Sequence, residues 1–153
     1  MVYIVCLLTM ASPLLSTTTQ DIEKSFLQNN AHMLYPQFSS RSFINISLPE
    51  PISFSDQLSH QQAYFLFREI FRSYLTFEFY SESDPAPDGN HFIFKARWSF
   101  KNKKNNNQYV FRIFFYLTPE KASPRPSFSP FPLKVSKNSK KKWEITEIKA
   151  EKI

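Results

Sequence analysis

Glycine is almost missing from this chain: it occurs once in 153 residues, as Gly89. Gly-rich loops that cradle phosphates need several residues free of a Cβ, so that class of nucleotide site is excluded. Cysteine also occurs once, as Cys6, and histidine three times. One thiol forms no internal disulfide, and if the N-terminal segment is removed no thiol remains for catalysis or metal ligation. His32, His60 and His91 fall at no ligand-like spacing, so neither a metal site nor a cofactor is expected. No serine sits in a nucleophile elbow, and no Cys–His pair is available. No transmembrane segment is expected either, because the apolar, uncharged run from Val2 to Leu15 falls short of the roughly 20 residues a bilayer requires.

That run reads instead as the apolar core of a signal peptide spanning residues 1–18, with Ser16, Thr17 and Thr18 as small residues suited to cleavage. No Lys or Arg precedes it, so the usual positive leader is missing. Cys6 lacks the small preceding residue that lipoprotein processing prefers, since Ile4 and Val5 stand before it. The alternative is an apolar N-terminal helix or strand packed on the domain. The signal-peptide reading places the protein outside the cytoplasm, secreted or periplasmic. Residues 19–153 then form one domain, large enough to bury roughly two-thirds of its unfolded surface without disulfides.

Net charge is +6. Its placement argues against nucleic acid as a partner. Lys101, Lys103 and Lys104 sit at one hairpin tip, while Lys137, Lys140, Lys141 and Lys142 belong to the next connection, at the opposite end of a meander. Two separated basic runs make solvated loops more readily than a groove.

What is abundant is aromatic: 17 Phe and 7 Tyr. Gln20 to Phe38 reads as helical, with Ile22 and Phe26 on one face, a break at Asn29-Asn30, and a short second helix that carries Leu34 to Phe38 despite Pro36. Phe43 to Leu48 and then Ile52 and Phe54 read as short strands around Pro49-Glu50-Pro51. Ser59 opens the clearest helix: Ser59 and Gln62 fit a capping box, and Ala63, Leu66, Phe67, Ile70 and Phe71 make one apolar stripe. Leu75 to Tyr80 alternates as a strand, followed by a turn over Asp84 to Asn90.

His91 to Thr118 predicts a long hairpin turning through Lys101–Asn107. Keeping its apolar sets together requires partner numbers summing to about 209, which puts Arg97 and Arg112 on one face. A one-residue slip would set Arg112 among Phe94, Ala96 and Trp98. The same reasoning pairs Phe79 with Phe92 and Phe77 with Phe94. The inner face then carries Leu75, Phe77, Phe79, Phe92, Phe94, Ala96, Trp98, Tyr109, Phe111, Ile113, Phe115 and Leu117. A Pro-rich loop spans about 119–142, and Trp143, Ile145, Ile148 and Ala150 form a last strand with a bulge near Thr146-Glu147.

Helices first, then a short strand, a helix, and a meander ending in Trp-x-Ile: this order resembles the NTF2-like (cystatin-like) α+β cone, with N-terminal helices packed on a curved antiparallel sheet. It is most similar to an uncharacterised bacterial family of secreted NTF2-like domains. The resemblance runs from Asp21 to Ile153 and rests on Ile22, Phe26, Leu34, Phe38, the Ser59 to Phe71 helix, Tyr109 to Leu117, Trp143, Ile145 and Ile148. Two departures are the lack of glycine and the Pro-rich insertion beside the expected cone mouth.

Some NTF2-like folds are isomerases and dehydratases with an Asp base and a Tyr or acid donor in the cone, an arrangement that needs a carboxylate of tuned pKa in an apolar cavity. This inner face holds no Asp, Glu or His. The expectation is therefore a non-catalytic domain that binds a small apolar ligand or associates as a homodimer through its outer sheet. Tyr35, Asp56, His60, Trp98 and Tyr109 are the candidate ligand-binding residues, and Ile93, Phe114 and Tyr116 the candidate interface. The rival is a hydro-lyase or isomerase for a small hydrophobic substrate, using Asp56 or His60 with Tyr35. A third reading has the Lys-rich loops meeting anionic surfaces.

Overall fold

The computed structural model describes residues 13–82, 91–120 and 142–153. The expected turn over Asp84 to Asn90, the body of the Pro-rich loop and most of the apolar leader lie outside them. Helix α1, Pro13–Leu27, runs without interruption through Ser16–Thr18, so cleavage there would remove its first turn. Its Ile22 and Phe26 are fully buried, as their four-residue spacing predicts.

Asn29 ends this helix in the left-handed region, at φ 48°, a conformation that Asn tolerates better than most residues. Its side chain then bolts three segments together. Nδ2 donates to the carbonyls of Phe71 and Tyr74, at 3.2 and 2.7 Å, while Oδ1 accepts from the Thr76 amide at 3.1 Å. Asn30 caps α2, Ala31–Leu34, by accepting from His32 and Met33 amides, and a 3-10 turn follows at Tyr35–Gln37. Helix α3, His60–Ser73, carries both bonds of the Ser59–Gln62 capping box. Its stripe of Ala63, Phe67, Ile70 and Phe71 is buried, with Leu66 half-buried beside it.

Six strands form one sheet: β1 Ile44–Leu48, β2 Phe54–Leu58, β3 Tyr74–Ser81, β4 Phe92–Asn102, β5 Gln108–Pro119 and β6 Trp143–Lys152, in the order β2-β1-β6-β5-β4-β3. The sheet curves around the helices. Four pairings are antiparallel, whereas β1 lies parallel to β6, so the sheet is mixed. The β4–β5 register runs from Phe92 opposite Leu117 to Lys101 opposite Gln108, with Arg97 facing Arg112 across the strands. Both features match the hairpin register argued from the face patterns. The bulge expected near Thr146 is present too: Tyr116 pairs Glu147 while Leu117 pairs Ile145, leaving Thr146 as the extra residue.

The expected β3–β4 register is wrong. Phe79 pairs Trp98 rather than Phe92, and Phe77 does not pair Phe94. A bulge between Thr76 and Glu78 adds a residue to β3, so Thr76 and Phe79 face inward while Leu75 and Phe77 are exposed. The physical reason is the Trp98 indole, a buried donor that needs an acceptor. Thr76 Oγ1 supplies it at 2.9 Å.

Inside the curve, Phe26 meets the rings of Phe67, Phe71, Phe79, Trp98 and Phe115 at centroid distances of 4.6–5.9 Å. Most of these contacts are edge-to-face, the geometry that aromatic quadrupoles favour. On the outer face the opposed Arg97 and Arg112 would repel one another. Glu78 lies 3.7 Å from Arg97, and Glu82 takes Arg112 at 2.9 Å and Lys95 at 3.6 Å. The hydrogen bond from Arg112 is the main reason that the Glu82 carboxyl sits below its ordinary value of 4.5, against an opposing contribution from burial.

Two outcomes follow from this packing. Phe26→Ala should cost about 3–5 kcal/mol in urea melts, because the surrounding sheet and helix cannot collapse onto the void. Glu82 stays ionised to lower pH in the folded chain than in the unfolded one, so its contribution is full above the ordinary carboxylate range. That contribution is lost as pH falls through the depressed value. Urea midpoints between pH 6 and 3 should therefore fall less steeply in Glu82→Gln than in the native chain.

Candidate functional site

The concave face of the sheet, where a guest would sit, is lined by Phe79, Phe92, Phe94, Ala96, Trp98, Phe100, Phe111, Ile113, Phe115 and Leu117, all buried. Phe26 and Phe67 cover it from the helices. On the part of this face built by β3 and β4, the Thr76 hydroxyl and the Trp98 indole are bonded to one another. No carboxylate or imidazole of the described residues is found there.

The five candidate ligand residues are not one site. Tyr35 and His60 do meet, with ring centroids 5.5 Å apart, because the 3-10 turn packs against the first turn of α3. Tyr64, one turn further along α3, stands 5.4 Å from Tyr35, and its hydroxyl lies 3.0 Å from His32 Nε2. Asp56 is exposed in the middle of strand β2, with Oδ1 accepting from the Gln57 amide. Trp98 is wholly buried and stacks on Phe100 at 4.1 Å. Tyr109 is half-buried at the hairpin end, stacked on Phe100 at 5.6 Å and edge-on to Tyr74. Burial, with a smaller contribution from Tyr109, raises the Tyr74 phenol above its ordinary 10.0.

Two surface grooves formed by described residues bear on these candidates. One, of about 370 Å³, crosses β2, β1 and β6 and is lined by Asn45, Ser47, Ser55, Asp56, Gln57, Glu147 and Lys149. The other, of about 520 Å³, lies between the corner after α1 and the side of α3, and is lined by Gln28, Asn29, Asn30, Ala31, His32, Tyr64, Arg68, Phe71 and Arg72. Arg68 and Arg72 lie on the exposed side of their helix, and no motif in the sequence marks the groove. The available signal was their four-residue spacing, which stacks two like charges on one helical face.

The outer face holds the candidate interface. Ile93 is 49% exposed, and cross-strand pairing sets it opposite Tyr116, with Lys95 opposite Phe114. Tyr116 and Phe114 are half-buried, and Lys149 Nζ lies 5.8 Å over the Tyr116 ring. Leu75, Phe77 and Tyr80 add exposed apolar area toward the β3 edge. Among the described residues there is no group of three or more His, Cys, Asp or Glu placed to hold a metal ion, and no helix long and apolar enough to cross a membrane.

No family model matches the chain, and no curated protein does. Solved structures do. A DUF4783 family protein from Bacteroides ovatus superposes with a TM-score of 0.59 at 14% identity, covering 87% of this chain and 93% of that one. A ketosteroid isomerase-like protein from Erwinia carotovora gives 0.61 at 9%, covering 92% and 95%. An NTF2-like protein from Cytophaga hutchinsonii gives 0.59 at 6%, covering 94% and 100%. Identities this low speak to architecture alone. With helices packed on a curved six-stranded mixed sheet, this chain has the NTF2-like α+β cone fold.

Proposed function

We propose that this chain is a non-catalytic NTF2-like domain that works by association, pairing with a second copy through its outer sheet face around Ile93, Phe114 and Tyr116. One observation carries the reading: Phe26 and its ring of aromatic partners occupy the concavity in which the catalytic members of this fold class would hold a substrate. A general acid or base needs a titratable group within hydrogen-bond reach of the reacting atoms. The described concave face offers none. It also weighs against a small apolar guest in the cone, because the apolar surface such a guest would cover is already buried.

The outer face has the opposite character. Exposed Ile93, Leu75, Phe77 and Tyr80 lie among paired charges, a mixture suited to an interface with an apolar centre and a polar rim. The uncharged Val2–Leu15 run supports export, so we place this association outside the cytoplasm.

A second reading, proton transfer as a hydro-lyase or isomerase, is favoured by the isomerase-like structural neighbour and by the Tyr35–His60 contact. It requires a cavity reaching those rings with Asp56 or His60 acting as the base. Asp56 instead sits exposed on an edge strand.

Sedimentation velocity at two concentrations tenfold apart separates the readings. The native chain should shift toward a dimer at the higher concentration, and Ile93→Asp should stay monomeric with its urea midpoint nearly unchanged, since the side chain is exposed. A monomer at both concentrations would remove the association reading.

A further inference from the structure

We propose that the groove between the α1–α2 corner and α3 is a binding site for a phosphate monoester, with Arg68 and Arg72 as its anion-recognising pair. Arg68 and Arg72 stand four residues apart on one face of α3 and both line the groove. Like charges at that spacing cost helix stability, so folding alone gives no reason for the pair. Glu69 relieves one of them, bonding Arg72 Nη1 at 3.3 Å. Arg68 meets no carboxylate among the described residues; its guanidinium lies 6.0 Å over the Phe65 ring, which leaves its five donors uncommitted to an acid.

A third cation is tied to a residue of the groove. Lys103, from the β4–β5 turn, donates to the Phe71 carbonyl at 2.9 Å, and the same carbonyl accepts from Asn29 Nδ2 at 3.2 Å. The residues that line the groove include both arginines and no Asp or Glu, which leaves it positive.

The opposite wall is built to donate as well. When His32 Nε2 accepts from the Tyr64 hydroxyl, Nδ1 carries the imidazole proton and is free to donate. Gln28 adds an exposed amide. The floor is different in kind, lined by the apolar residues Ala31 and Phe71. Two guanidinium forks match the several oxygens of a tetrahedral dianion, whereas a carboxylate would be satisfied by one fork. The apolar floor beside them favours a phosphate carried on a flat organic group over the bare ion.

Proton–nitrogen spectra of the intact chain, titrated at constant ionic strength with phenyl phosphate, inorganic phosphate and sodium chloride, test this. Saturable shifts should centre on residues 28–32, Tyr64 and Arg68, with phenyl phosphate binding more tightly than phosphate and chloride giving no saturation. Arg68→Lys keeps the charge but loses the fork, and should weaken phenyl phosphate by about tenfold. The Arg68→Ala, Arg72→Ala double variant should lose saturation with its urea midpoint no lower than that of the native chain. Three results would each overturn the proposal: no saturation in the native chain, full affinity in the double variant, or native affinity in Arg68→Lys, which would leave only a diffuse positive field.

Discussion

Phe26 is the residue on which the rest of the structure depends. It sits where α1, α3 and the concave face of the sheet converge, and five aromatic rings close around it. Burying a ring of this size removes on the order of 150–250 Å² from water, and the edge-to-face contacts add to that. The same packing fixes the layer spacing between helices and sheet. It therefore decides, at one position, both that the domain is stable and that its centre is filled.

Aromatic rings fill this centre. The polar chemistry of the molecule is distributed accordingly. The outer face carries Glu82 with Arg112 and Lys95, and the helical side carries His32 with Tyr64 beside two arginines. Asn29 lines the helical groove and braces it. Its three hydrogen bonds tie the end of α1 to the end of α3 and the start of β3, which holds the wall of the helical groove in place.

Much of the fold is legible in the sequence because long alternation leaves few choices. The shared face of Arg97 and Arg112 follows from the cost of burying a cation, and the Thr146 bulge from a one-residue shift in an apolar pattern. The β3 register is not legible for an equally physical reason. Leu75, Phe77 and Phe79 alternate without fault, and nothing local shows that Trp98 will require Thr76 as its acceptor and so push Phe77 outward. The helical groove is hidden in the same way. Arg68 and Arg72 look like ordinary solvated residues, and Lys103 joins them only when the hairpin tip folds over the end of α3. Of the candidate ligand residues, Tyr35 and His60 come together, while Asp56, Trp98 and Tyr109 are scattered across an edge strand, the core and the hairpin end.

Strand β6 lies between β1 and β5, although it follows both in the chain. Until it emerges during synthesis, the nascent protein can hold only two fragments: a β1–β2 ribbon, and a β3–β4–β5 meander whose contacts are nearer in sequence. Each fragment would show an open edge with unpaired amides and carbonyls, the surface through which strands of neighbouring chains join. Closing the gap demands a parallel partnership between Asn45–Ser47 and Glu147–Lys149, across about a hundred residues of intervening chain, and contacts so remote in sequence form slowly. The half-made chain on the ribosome is therefore the form in which this protein is most exposed to aggregation.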